Sequence, residues 1–66
     1  DLFGNGLLPY RDKEGNWGYV NKNCQTIIKA KYSMAYRFNN GYAYIVYNGN
    51  VGVIDTKGIE YFFDRP

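Results

Sequence analysis

The sequence has no histidine, one cysteine and two prolines in 66 positions, and its eight basic residues barely exceed its six acidic ones. Each scarcity excludes something. Without His there is no imidazole base, no Ser-His or Cys-His pair and no His-ligated metal. With Cys24 alone there is no internal disulfide and no CxxC zinc arrangement. No apolar run approaches the roughly 18 residues that cross a bilayer as a helix. The net charge is +2, with acids and bases interspersed, so no large basic face draws nucleic acid or a membrane surface. No catalytic set, metal site or cofactor site can be assembled from these residue types, and an enzyme is not expected.

Length adds a further bound. A chain of 66 residues is one small domain, residues 1–66, and chains of this size often lean on disulfides, metals or self-association. A disulfide within the chain is excluded, and ligands for a metal are lacking. Packing against another copy, or against further units of a longer chain, is therefore expected. The sequence opens at Asp1 without an initiator Met, a basic-then-apolar leader or a lipidation motif, so it reads as an excised fragment or a processed product. A single Cys points to a reducing interior or a bacterial source, with cytoplasm and cell surface both open.

What the sequence has in abundance is aromatic side chains: eight Tyr, four Phe and one Trp. They fall in a repeat. Gly15-Asn16-Trp17-Gly18-Tyr19-Val20-Asn21 overlays Gly49-Asn50-Val51-Gly52-Val53-Ile54-Asp55 at an offset of 34. Upstream, Phe3-Gly4-Asn5-Gly6 overlays Phe38-Asn39-Asn40-Gly41 at an offset of 35. The extra residue lies in the first hairpin loop, Asp12-Lys13-Glu14 standing against Tyr47-Asn48, where an insertion is best tolerated. Unit one spans 6–40, and unit two runs from 41 to a truncated end at 66.

The periodicity is that of strands. Tyr42, Tyr44 and Val46 alternate with Ala43, Ile45 and Tyr47 over 41–47, and the apolar character of both sets predicts a central strand covered on each side. Asn48-Gly49-Asn50 supplies a tight reversal, 51–54 returns, Asp55-Thr56-Lys57-Gly58 turns, and 59–63 forms a third strand. Unit one repeats the plan with strands at 7–10, 17–20 and 25–28. Pro9 belongs on an edge, and Gly18 and Gly52 mark a close backbone approach or a bulge. Residues 30–37 read as a connector with room for one helical turn. The expected fold is all-β: two tandem three-stranded antiparallel meanders, packed as a solenoid or a small barrel.

These residues resemble a known family. Gly15-Asn16-Trp17-Gly18-Tyr19-Val20-Asn21 and Gly52-Val53-Ile54-Asp55-Thr56-Lys57-Gly58 are similar to the signature of the WG (KWG) repeat, and Ile28, Tyr32, Ala35, Phe38, Gly41 and Ala43 follow in the family's order. The chain departs from the pattern with Lys29 for Pro, Ser33 for Asp, Asn21 for the turn Asp, Cys24 for the turn Gly and Val51 for the second Trp. A left-handed turn strains a residue with a Cβ, so the Cys24 turn is expected to differ in type from its counterpart. The resemblance implies bacterial repeat arrays of β structure, with no shared catalytic activity, whose units bury each other's apolar faces.

A non-catalytic β-repeat module that mediates protein–protein contact or self-association is the expected function. The candidate binding surface is Trp17, Tyr19, Tyr36, Tyr42, Tyr44 and Tyr47. The alternative is a carbohydrate- or cell-wall-binding module that stacks sugar rings on the same aromatics. Cross-strand packing is the structural explanation of the Tyr cluster, and covering a neighbouring unit, in the space left by Gly18, is that of Trp17. Asp12, Glu14 and Asp55 read as solvated turn carboxylates, Lys29, Lys31 and Arg37 as surface charge, and Cys24 as an inert thiol.

Overall fold

In the computed structural model the described residues are 6–63, and every regular element among them is a strand. β1 (Leu7–Arg11), β2 (Trp17–Asn21) and β3 (Thr26–Tyr32) form one antiparallel sheet in that order. β4 (Met34–Ala35), β5 (Tyr42–Tyr47), β6 (Asn50–Asp55) and β7 (Glu60–Phe62) form a second. The all-β expectation therefore holds, as two adjoining sheets that do not close into a barrel. The second sheet carries one strand more than a three-stranded meander.

That strand corrects the reading of 30–37. Residues 30–32 extend β3, and the chain passes through Ser33 straight into β4, with no helical turn. The Ser33 amide and hydroxyl both donate to the Val46 carbonyl, and the Tyr36 amide donates to the Tyr44 carbonyl. The chain leaving the first sheet thus becomes the edge of the second. Pro9 lies on β1, an edge strand, where its missing N–H removes no ladder bond from a central position.

The two halves share a register. Leu7↔Asn21, Leu8↔Val20, Pro9↔Tyr19 and Tyr10↔Gly18 in the first sheet match Tyr42↔Asp55, Ala43↔Ile54, Tyr44↔Val53 and Ile45↔Gly52 in the second. The turns match too. The Asn21 side-chain oxygen accepts from the Asn23 and Gln25 amides, and Asp55 accepts from Lys57 and Ile59 in the same way. Cys24 at φ 64° stands where Gly58 sits at φ 89°. The expectation of a different turn type at Cys24 is overturned: hydrogen bonds from the Asn23, Cys24 and Gln25 amides to Asn21, and from the Asn21 amide to the Gln25 carbonyl, hold the same turn and force Cys24 into the left-handed region.

Gly18 and Gly52 serve one purpose. A Cβ on Gly18 would lie 2.4 Å from the Ile28 carbonyl oxygen, and one on Gly52 would lie 2.5 Å from that of Tyr61. Each lets the next strand's backbone press against β2 or β6. The room at Gly18 is filled by β3 rather than by the Trp17 indole, which corrects the role expected for that space. The register of β2 against β3 shifts on either side of Tyr19, so the first sheet is bulged and the second is regular.

The core lies between the sheets. The first sheet contributes Leu7, Tyr19, Ile28 and Tyr32, the second contributes Ala35, Ala43, Ile45 and Ile54, and Phe38 joins them from the loop after β4. The Tyr19 ring meets Phe38 edge-on at a centroid distance of 4.8 Å.

Candidate functional site

Period-2 alternation on β5 sends Ala43 and Ile45 into the core and leaves Tyr42 and Tyr44 outside, 51% and 59% exposed. A central strand covered on both faces was expected. The structure corrects this: the outer face is bare, because the first sheet covers only the inner one. Register builds the rest of that face. Tyr36 lies beside Tyr44, Val53 pairs with both Tyr44 and Tyr61, and Val46 pairs with Met34 and Val51. Phe63 joins through its amide, which donates to the Val51 carbonyl.

The result is an apolar, aromatic outer surface on a four-stranded sheet. Tyr42 meets Tyr61 edge-on at 6.3 Å, and Tyr44 meets Phe63 at 6.2 Å, so the rings brace one another across the strands. Beside them is a concavity of about 330 Å³ lined by Arg37, Asn39, Tyr42, Ala43, Tyr44 and Val53. At one corner the Tyr61 hydroxyl donates to Asp55 Oδ2, and Asp55 is held below the usual carboxylate range, chiefly by the Ile59 amide.

The six candidate residues separate. Tyr36, Tyr42 and Tyr44 share the outer face. Tyr19 is fully buried, its hydroxyl donating to the Tyr36 carbonyl at 2.7 Å, so its place in a binding surface is withdrawn: it is a core residue. Burial pushes its phenol well above the ordinary value. Trp17 and Tyr47 are half-buried and pack against the core rather than joining the outer face. Tyr61, Phe63 and Val51 were not among the candidates. The phase of β5, carried through its register with β6 and β7, would have found them.

A second cluster ties the sheets together at their other side. The buried Tyr32 hydroxyl donates to Glu60, Lys31 Nζ lies 3.1 Å from the same carboxylate, and that ammonium sits 5.5 and 5.6 Å from the Tyr32 and Tyr47 ring centres. The Tyr32 hydrogen bond, then the Lys31 charge, lower the Glu60 pKa, whereas burial first and Glu60 second raise that of Tyr32. Lys31 was read from sequence as plain surface charge, and Glu60 was not singled out. Among the described residues no three His, Cys, Asp or Glu side chains gather as a metal site.

No curated protein and no solved structure matches the chain. A family model described as the WG containing repeat matches residues 17–50, which is 34 of the 66 residues. The matched segment has the length of one sequence period and begins at the Trp17-Gly18 pair whose counterpart, Val51-Gly52, opens just beyond it. With its doubled turn, doubled glycine approach and common register, the chain belongs to the WG-repeat family.

Proposed function

We infer that the chain is a non-catalytic interaction module whose recognition surface is the outer face of the second sheet. The observation that carries this reading is that face itself. Tyr36, Tyr42, Tyr44, Val51, Tyr61 and Phe63 are all exposed on one sheet surface. Contiguous apolar area of this kind on a small soluble domain marks a place where something docks. Rigid aromatic rings give much contact area for little lost side-chain freedom, which suits a protein partner or a second copy of the chain.

Sedimentation velocity tests the self-association arm. The weight-average sedimentation coefficient should rise with protein concentration, and Tyr44→Glu should suppress the rise while the far-ultraviolet spectrum stays unchanged. A monomer at every concentration would remove that arm.

A carbohydrate reading has one observation in its favour, the concavity in which Tyr42 and Tyr44 stand beside Arg37 and Asn39. Aromatic faces stack on sugar rings while flanking polar groups orient hydroxyls. Binding to soluble polysaccharides, measured by calorimetry and lost in folded Tyr44→Ala, is its expected signature. Failure to bind any glucan or peptidoglycan fragment would discard it.

A further inference from the structure

The two halves of the chain share a fold but not a buried face. Leu7, Pro9 and Tyr19 occupy the same register positions as Tyr42, Tyr44 and Val53. This set is the front of the repeat. Leu8, Tyr10 and Val20 correspond to Ala43, Ile45 and Ile54, and this set is its back. In the first half the front is the core side: Leu7 and Tyr19 are buried and Pro9 is half-covered, while Leu8, Tyr10 and Val20 on the back are all only half-covered. In the second half the back is the core side, while Tyr42 and Tyr44 on the front are exposed and Val53 is half-covered. The interior of the molecule is therefore a front-to-back junction, the front of one unit against the back of the next.

Among the described residues such a junction leaves one surface of each kind outside the core. The second unit offers a front, built on the exposed Tyr42 and Tyr44 with Val53 half-covered between strands, and the first offers a back, built on the half-covered Leu8, Tyr10 and Val20. β5 is bordered by β4, the strand arriving from the preceding unit, whereas its counterpart β1 is an edge among the described residues.

We propose that copies of this chain assemble head to tail, the Tyr42–Tyr44 front of one receiving the Leu8–Tyr10 back of the next and repeating the junction inside each chain. This rests on the interaction reading above and commits it to one partner, another copy, and one geometry. Because the two surfaces differ, the contact is heterologous, so each added copy presents a fresh front and the series does not stop at a dimer unless its rotation closes a ring.

The test uses two variants of the 66-residue chain, Tyr44→Glu on the front and Leu8→Glu on the back, with folding checked by circular dichroism and amide dispersion in NMR spectra. If either is unfolded, Tyr61→Glu and Tyr10→Glu take their places. The wild type should pass beyond a dimer as its concentration rises in sedimentation velocity. Each variant alone should be a monomer, because it keeps only one working surface. An equimolar mixture should form a 1:1 dimer and go no further. A mixture that stays monomeric overturns the proposal. A Leu8→Glu protein that still forms a dimer through its front overturns the head-to-tail geometry but leaves self-association standing. A wild type that is monomeric throughout overturns the proposal and the self-association arm together, and leaves a foreign partner as the surviving form of the interaction reading.

Discussion

The Tyr19 hydroxyl donates to the Tyr36 carbonyl oxygen at 2.7 Å, joining the middle strand of the first sheet to the chain at the edge of the second. It is the buried polar tip of a side chain whose ring already fills the core against Phe38. Tyr19→Phe keeps the ring and leaves that carbonyl without the phenol, at a cost of about 1–2 kcal/mol in urea unfolding.

The same phenol predicts the alkaline limit of the fold. Tyr19 and Tyr32 both titrate above the ordinary tyrosine value of 10.0 in the folded protein, so their stabilisation is complete below that pH. As pH rises beyond it, the unfolded chain loses protons that the fold retains, and stability falls. Thermal unfolding followed from pH 8 to 11.5 should show a falling midpoint, less steep in Tyr19→Phe.

Cys24 is the clearest site of improvable stability. Its φ of 64° matches that of a turn glycine, and its side chain is exposed, so truncation forfeits no core packing. Cys24→Gly should stabilise by about 1 kcal/mol through relief of the left-handed strain. For a domain of this size that raises the melting midpoint by roughly 4–8 °C. An unchanged or lower midpoint in calorimetry would contradict the strain argument.

Gly52 should not tolerate any side chain. A Cβ there would lie 2.5 Å from the Tyr61 carbonyl oxygen and 2.9 Å from Phe62 Cα, so backbone rather than a flexible tip must move. Gly52→Ala should destabilise by about 3 kcal/mol, and Gly18→Ala, tighter still against β3, by at least as much. Gly41→Ala, which meets nothing within 4 Å but sits at φ 86°, separates backbone strain from steric overlap and should cost less.

Glu60 sets an acid-side dependence. Its folded pKa lies below the usual carboxylate range because Tyr32 and Lys31 favour the charged form. That stabilisation is present above the unfolded value near 4.5 and is lost as pH falls through the folded one. Glu60→Gln should flatten the stability profile between pH 5 and 2 and also soften the alkaline limb, because the Glu60 charge helps to hold the Tyr32 phenol protonated.

Much of this molecule was legible in its sequence because turn chemistry and strand alternation are local. Gly15-Asn16, Asn48-Gly49 and Asp55-Thr56-Lys57-Gly58 punctuate the hairpins where the structure turns. The close approach at Gly18 and Gly52 was read from a residue type alone. The fate of a strand's two faces was not local. Tyr42 and Ala43 have neighbours of similar character, and which one meets the first sheet depends on how the units stack. For the same reason Tyr19 passed as a surface residue, although its counterpart Val53 shows how one register position is interior in one unit and half-covered in the other. Residues 30–37 misled because Ala30, Met34 and Ala35 suit a helix, while β5 provides an open ladder that Met34–Ala35 completes. The Phe3–Gly6 part of the upstream repeat lies largely outside the described residues.

The passage through Ser33 has a mechanical consequence. Tyr32 ends one sheet and Met34 begins the next with a single residue between them, and that residue is itself bonded to Val46. No slack exists to serve as a swivel, so bending one unit against the other requires breaking the ladder of β4 with β5. The two units of a chain therefore behave as one stiff body, their relative orientation set by sheet hydrogen bonds rather than by linker length.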